Sequence, residues 1–87
     1  MGVTQVEYRG MTIKAGAFEV IAIGRFVVSL SIARSDEPVA DRKAKFFEPP
    51  SEDGFFDTPE QGLEVAIAFG RAIIDGEIPG LTVEDLW

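Results

Sequence analysis

The chain reads as an α+β domain: a three-stranded antiparallel meander followed by one long C-terminal helix packed on one face, in the order β-β-β-α. Three observations predict it. Residues 26–33 alternate between apolar and small or polar side chains, the period of a half-buried strand. Residues 58–75 carry apolar side chains at spacings of three and four behind a capped start. The strand-like runs all precede the helical one, which favours an antiparallel sheet over alternating β-α units.

The elements follow in order. Met11, Ile13 and Ala15 alternate in one phase, and Phe18, Val20 and Ala22 in the other. Ala15-Gly16-Ala17 sits where the phase changes, so a glycine bulge or bend is expected there. Gly24-Arg25 joins this run to the next as a tight hairpin, because glycine takes positive φ without steric cost. Arg9-Gly10 marks another turn, or a bulge at the start of the first strand. In the second strand Phe26, Val28, Leu30 and Ile32 face one way and Val27, Ser29, Ser31 and Ala33 the other. Residues 35–43 form a charged loop, and Ala44 to Glu48 a short third strand stopped by Pro49-Pro50. Ser51 to Gly54 is a turn, and Phe55-Phe56 re-enters the core.

The helix is the clearest element. Thr58 is its N-cap, Pro59 takes the first helical position and Gln61 completes a capping box. Leu63, Ala66, Ile67, Gly70, Ile73 and Ile74 share one face, and Gly76 ends the element. Gly70 in mid-helix predicts close packing against the sheet. Residues 82–86 form one short helical turn capped by Thr82. The whole is a single domain over residues 1–87, with its core in 6–76 and a C-terminal tail over 77–87.

Composition removes much chemistry. The 87 residues include no cysteine and no histidine, so thiolate nucleophiles, disulfides, imidazole bases and the commonest metal ligands are all missing. Carboxylates abound without a phosphate loop, a nucleophile elbow or a dinucleotide fingerprint. Glu60 and Glu64 share a helix face, which reads as a solvated face complementing the helix dipole. The expectation is therefore no enzyme, no catalytic residue, no cofactor and no metal. No run is long and apolar enough to span a membrane. A cysteine-free domain without a signal-like start is expected in the cytoplasm.

The net charge of −7 is unevenly spread. Residues 1–45 hold seven cations against five carboxylates, and residues 46–87 hold Arg71 alone against ten. The acidic half repels phosphate. Arg34, Arg42, Lys43 and Lys45 cluster around one loop and are the candidate nucleic-acid contacts.

Tyr8-Arg9-Gly10, Gly24-Arg25-Phe26, Phe56-Asp57-Thr58-Pro59-Glu60 and Ile73-Ile74-Asp75-Gly76 together resemble a group of small bacterial proteins of uncharacterised function. The resemblance covers about residues 8–76 and implies a three-stranded sheet followed by a helix, with no activity attached. Phe56-Asp57-Thr58 is also similar to the helix start of the integrase arm-type DNA-binding domain, which reads DNA with a three-stranded sheet. Only that cap matches, and the acidic second half departs from the basic character of that family.

An interaction surface is the remaining class. Val65, Phe69 and Ala72 form a second apolar stripe beside the core stripe of the helix, and one small sheet does not cover both. Val27 and the small residues in its phase line a sheet face that the helix leaves open. Covering comes either from the 77–87 tail or from another chain. The expected function is a small non-catalytic interaction module, a homodimer or the partner of another protein. The alternative is weak nucleic-acid binding through the sheet and the 34–45 loop.

Overall fold

The sheet has four strands, not three. The structure, a computed structural model, describes residues 2–36, 44–51 and 53–83. It holds β1 (Gly2–Tyr8), β2 (Met11–Val20), β3 (Arg25–Arg34), β4 (Ala44–Phe47) and one helix, α1 (Pro59–Ile74). All strands pair antiparallel in the order β1-β2-β3-β4. The added strand is β1. Thr4, Val6 and Tyr8 turn inward and Val3, Gln5 and Glu7 outward, an alternation in which few residues are strongly apolar. Arg9 and Gly10 are the turn that joins it to β2. Both have positive φ, 51° and 78°, as a two-residue type I′ hairpin requires.

The expected bulge at Gly16 is absent. β2 pairs residue for residue with both neighbours, from Met11↔Arg34 to Val20↔Arg25 on one side and Gly2↔Ala17 to Tyr8↔Met11 on the other. Met11, Ile13, Ala15 and Ala17 all point to the helix and are buried. Phe18 breaks the apolar pattern because it lies on the opposite face, its ring over Gly16. The β2–β3 hairpin is wider than a two-residue turn. Ile21 to Gly24 form the loop, closed by Gly24 N–H donating to the Val20 carbonyl at 2.9 Å.

α1 starts as expected. Gln61 N–H donates to Thr58 Oγ1 at 3.1 Å, and Gln61 Oε1 accepts from Asp57 N–H at 3.2 Å. The helix lies across β2 and β3, with Ala66, Ile67, Gly70 and Ile73 against Ile13, Leu30 and Ile32. Phe56 is buried and bridges Phe26 in both directions, at 2.8 and 2.9 Å, so the Phe55-Phe56 re-entry extends the sheet beyond β4. Ile78, Leu81 and Val83 fold back on the same core, and Lys45 Nζ donates to the Thr82 carbonyl at 2.8 Å. The turn expected over 82–86 lies mostly outside the described residues.

Candidate interaction surface

The helix, the re-entrant Phe56 and the 78–83 segment all lie on one side of the sheet. The other side has no covering element among the described residues. It forms an open trough lined by Val3, Gln5, Thr12, Lys14, Gly16, Phe18, Ser29, Ser31, Ala33, Ala44 and Phe46. Register sets this grid: Phe18 stands beside Val27, Gly16 between Val3 and Ser29, and Ser31 beside Phe46. Val3 is 65% exposed and Phe46 74% exposed. The lining holds one charged residue, Lys14, in a chain of net charge −7. Depletion of charge around exposed aromatics is the composition of an interface core. At the end of the β2–β3 hairpin Ile21 is 87% exposed.

One corner of this face is polar and already satisfied. Thr12 is buried, and its hydroxyl donates to the Glu7 carboxylate at 3.0 Å and lies 2.8 Å from Ser35 Oγ. Ser35 Oγ also donates to Glu7. Here two hydroxyls converge on one carboxylate at the end of the β1–β2–β3 surface.

The residues singled out in the sequence separate into different places. Val65, Phe69 and Ala72 are half-buried, and Phe69 packs against the core cluster together with Ile78 and Leu81. Among the described residues the exposed large apolar side chains are instead Val3, Phe18, Ile21, Ile23 and Phe46. Val27 is half-buried and lines a smaller recess with Glu48, Pro49 and Phe56. Arg34 and Lys45 stand in register with Met11 and Ile32, on the helix side of the sheet. Arg34 is paired with Asp36 at 2.7 Å, and Lys45 is held by Thr82. Arg42 and Lys43 lie outside the described residues.

The described carboxylates with resolved contacts serve the fold. Arg25 pairs with both Asp53 and Asp57, which ties the start of β3 to the turn before α1. Its hydrogen bond, with that of the Phe55 N–H, holds the Asp53 carboxyl below the usual carboxylate range. Tyr8 donates its hydroxyl to Asp75 Oδ2 at 2.7 Å, and this bond raises the Tyr8 phenol above its ordinary value. Asp75 also pairs with Arg9 at 3.2 Å, so the β1–β2 turn is fastened to the end of α1. Among the described residues no group of three or more acidic side chains gathers as a metal site, and no helix is long and apolar enough to cross a membrane.

Comparisons with protein-family models, with curated proteins and with solved structures find no match to this chain.

The edge strand β1 and the outward Phe18 are what sequence reasoning missed as surface. The period-2 alternation of residues 2–8 and the Phe18 spaced two residues from Gly16 were the signals available for them.

Proposed function

We propose that this chain is a small non-catalytic interaction module that works as a homodimer. The observation that carries this reading is the amount of sheet that no described element covers. One whole face is uncovered among the described residues, and β1 forms a seven-residue outer edge. Soluble proteins guard such edges with prolines, lysines, bulges or very short strands. β4, the other outer strand, is guarded in that way: it has four residues and is followed by Pro49-Pro50. β1 holds neither proline nor lysine and pairs without a bulge.

A non-catalytic role is supported by where the polar groups go. Arg25, Asp53, Asp57, Tyr8 and Asp75 are used in contacts that hold the fold together. A cysteine-free chain of this kind suits the reducing cytoplasm. Nucleic-acid binding draws no support from Arg34 and Lys45, which are both engaged on the helix side.

Sedimentation equilibrium of the full chain tests the proposal. Near 0.15 M salt the Debye length is about 8 Å, which largely screens the mutual repulsion of two acidic copies. A monomer–dimer equilibrium at micromolar concentration is expected. A single monomeric species across the concentration range overturns the reading.

A further inference from the structure

We infer that two copies of this chain join face to face through the side of the sheet that no described element covers, about a two-fold axis parallel to the strands, with Phe18 and Phe46 of each copy in the contact. The inference rests on the homodimer proposed above and states which surface makes it.

Charge selects the face. The chain holds 15 carboxylate side chains against 8 cationic ones. Exposed carboxylates gather on the helix layer, with Glu60 and Glu64 on α1 and Asp75 and Glu77 just after it. Two helix layers therefore repel each other at short range. The residues lining the sheet face include no carboxylate, and Lys14 is their one charge. A second acidic copy can approach this face without stacking like charge on like. The apolar side chains are distributed in the same sense. Among the described residues Val3, Phe18 and Phe46 are large, apolar and exposed on this face, and α1 has no such residue. A nearly uncharged, partly aromatic surface fits another of the same composition, and a second copy supplies one.

The area suits a weak dimer. Strands lie about 4.8 Å apart and rise about 3.3 Å per residue, so strands of 7, 10, 10 and 4 residues present about 500 Å² in flat projection. Side chains standing out from the sheet raise the accessible area above that figure. A stable interface takes about 800 Å² from each partner, and a transient one less than about 600 Å². The face stands at the lower end of this range, which fits association at micromolar concentration. A chain diluted well below that is a folded monomer with the face open.

Register selects the axis. Gln5, Lys14, Ser31 and Phe46 form one row across the four strands, and Gly16 and Ser29 stand in the next. An axis parallel to the strands, midway between β2 and β3, sets β2 over β3 and β1 over β4 of the second copy. Lys14 then faces Ser31, Phe46 faces Gln5 and Phe18 faces Val27. An axis across the strands through that row would stack Lys14 on Lys14, and one displaced toward Gly16 would carry Phe46 past the end of β4. Face-to-face sheets keep their strand directions within about 30° of each other, as an axis parallel to the strands allows.

Three substitutions test the contact. Phe46→Glu and Ser29→Glu each place a carboxylate in the buried seam, and Ala68→Glu places one on the exposed side of α1. In sedimentation equilibrium near 0.15 M salt, each of the first two is expected to weaken the dimer about tenfold or more, because a carboxylate loses water there without gaining a partner. Ala68→Glu is expected to change it less than about twofold. Far-UV circular dichroism reports whether each variant is folded, and if one face variant unfolds the other decides. NMR of the wild type on dilution needs no variant: the amides of Lys14, Phe18, Ser29 and Phe46 are expected to shift, and those of Gln61, Glu64 and Ala68 to stay. A wild-type dimer that both folded face variants retain, or dilution shifts confined to α1, overturns the face pairing and leaves the homodimer standing. A wild-type chain that stays monomeric overturns both.

Discussion

Gly70 of α1 lies directly over Ile13 of β2: a Cβ built on Gly70 would stand 2.9 Å from Ile13 Cγ2. Ile13 is fully buried, and Cγ2 belongs to a β-branched side chain with little rotational freedom. Two turns earlier on the same face, a Cβ on Gly62 would overlap Val28 Cγ2 and fall 3.2 Å from the Phe56 ring. The two glycines let the helix approach the sheet closely enough to bury Ala66 and Ile67 between them. Alanine is the better helix former by about 1 kcal/mol, but overpacking costs about 1–3 kcal/mol. Gly62→Ala is expected to destabilise, and Gly70→Ala to do so less strongly, because its closest contact is longer. Urea melts of the two variants check the order, and a stabilised Gly62→Ala would show that the helix can lift from the sheet without loss.

Thr58→Ala is expected to cost about 1 kcal/mol, the ordinary loss for an N-cap oxygen. The bond removed is that from the Gln61 N–H at 3.1 Å. Gln61 reaches back to Asp57, one residue before the cap, so Gln61→Ala should cost less than Thr58→Ala while affecting the same helix end. An unchanged urea midpoint for Thr58→Ala would contradict this.

Ile67→Ala is expected to cost about 2–5 kcal/mol, because it empties a position in the core cluster between α1 and the sheet. In a domain of ordinary stability, about 5–15 kcal/mol, that is enough to populate the unfolded chain. Thermal melts followed by circular dichroism provide the check, with a clear fall in midpoint as the expected result.

Most of this helix was legible in the sequence, and the reason is physical. Caps and a 3.6-residue period are local signals, and Thr58, Pro59 and the buried face from Ala66 to Ile73 stand where those signals put them. The sheet was legible only in part. β1 is an outer strand whose inward side chains are Thr4, Val6 and Tyr8, and whose burial comes from a helix far along the chain, so its short apolar alternation is weak. Phe18 looks like a core residue out of phase, yet an aromatic ring can lie on an open face when a glycine beneath it leaves room, as Gly16 does. Phe69 looks like a second exposed stripe because the return of Ile78 and Leu81 onto the same core is a long-range fact that no local pattern contains.

Stability is expected to fall in acid and in strong alkali through two identified contacts. The hydrogen bond from Arg25 holds the Asp53 carboxyl below its ordinary range. The folded chain therefore binds that proton less readily than the unfolded chain does. This contribution is present above the ordinary carboxylate range and is lost as pH falls through the lowered value. Tyr8 has the opposite sign. Its hydrogen bond to Asp75 raises the phenol, so its contribution is present below about pH 10, the ordinary tyrosine value, and is lost as pH rises through the raised one. Both groups are solvent-exposed, so both effects are small. Urea melts across pH measure them: Asp53→Asn should shrink the acid-side loss, and Tyr8→Phe the alkaline one.

Phe46 and Phe69 separate the two kinds of apolar residue in this chain. Phe46 projects from β4 onto the uncovered face and is 74% exposed, whereas Phe69 packs against the core cluster beside Ile78. Removing an exposed ring away from the core changes stability by about 0.5 kcal/mol at most, while truncating a ring that packs in the core costs about 3–5 kcal/mol when burial is complete. Phe46→Ser is therefore expected to leave the urea midpoint close to that of the wild type. Phe69→Ser is expected to lower it strongly, though by less than the full-burial figure, because Phe69 is half-buried. The pair also separates fold from surface. A dye that fluoresces on exposed apolar surface should bind folded wild type on the Phe18–Phe46 face and bind folded Phe46→Ser less well. Equal losses of stability in the two variants would mean that Phe46 is covered in solution, and would place a second chain on the open face of the sheet.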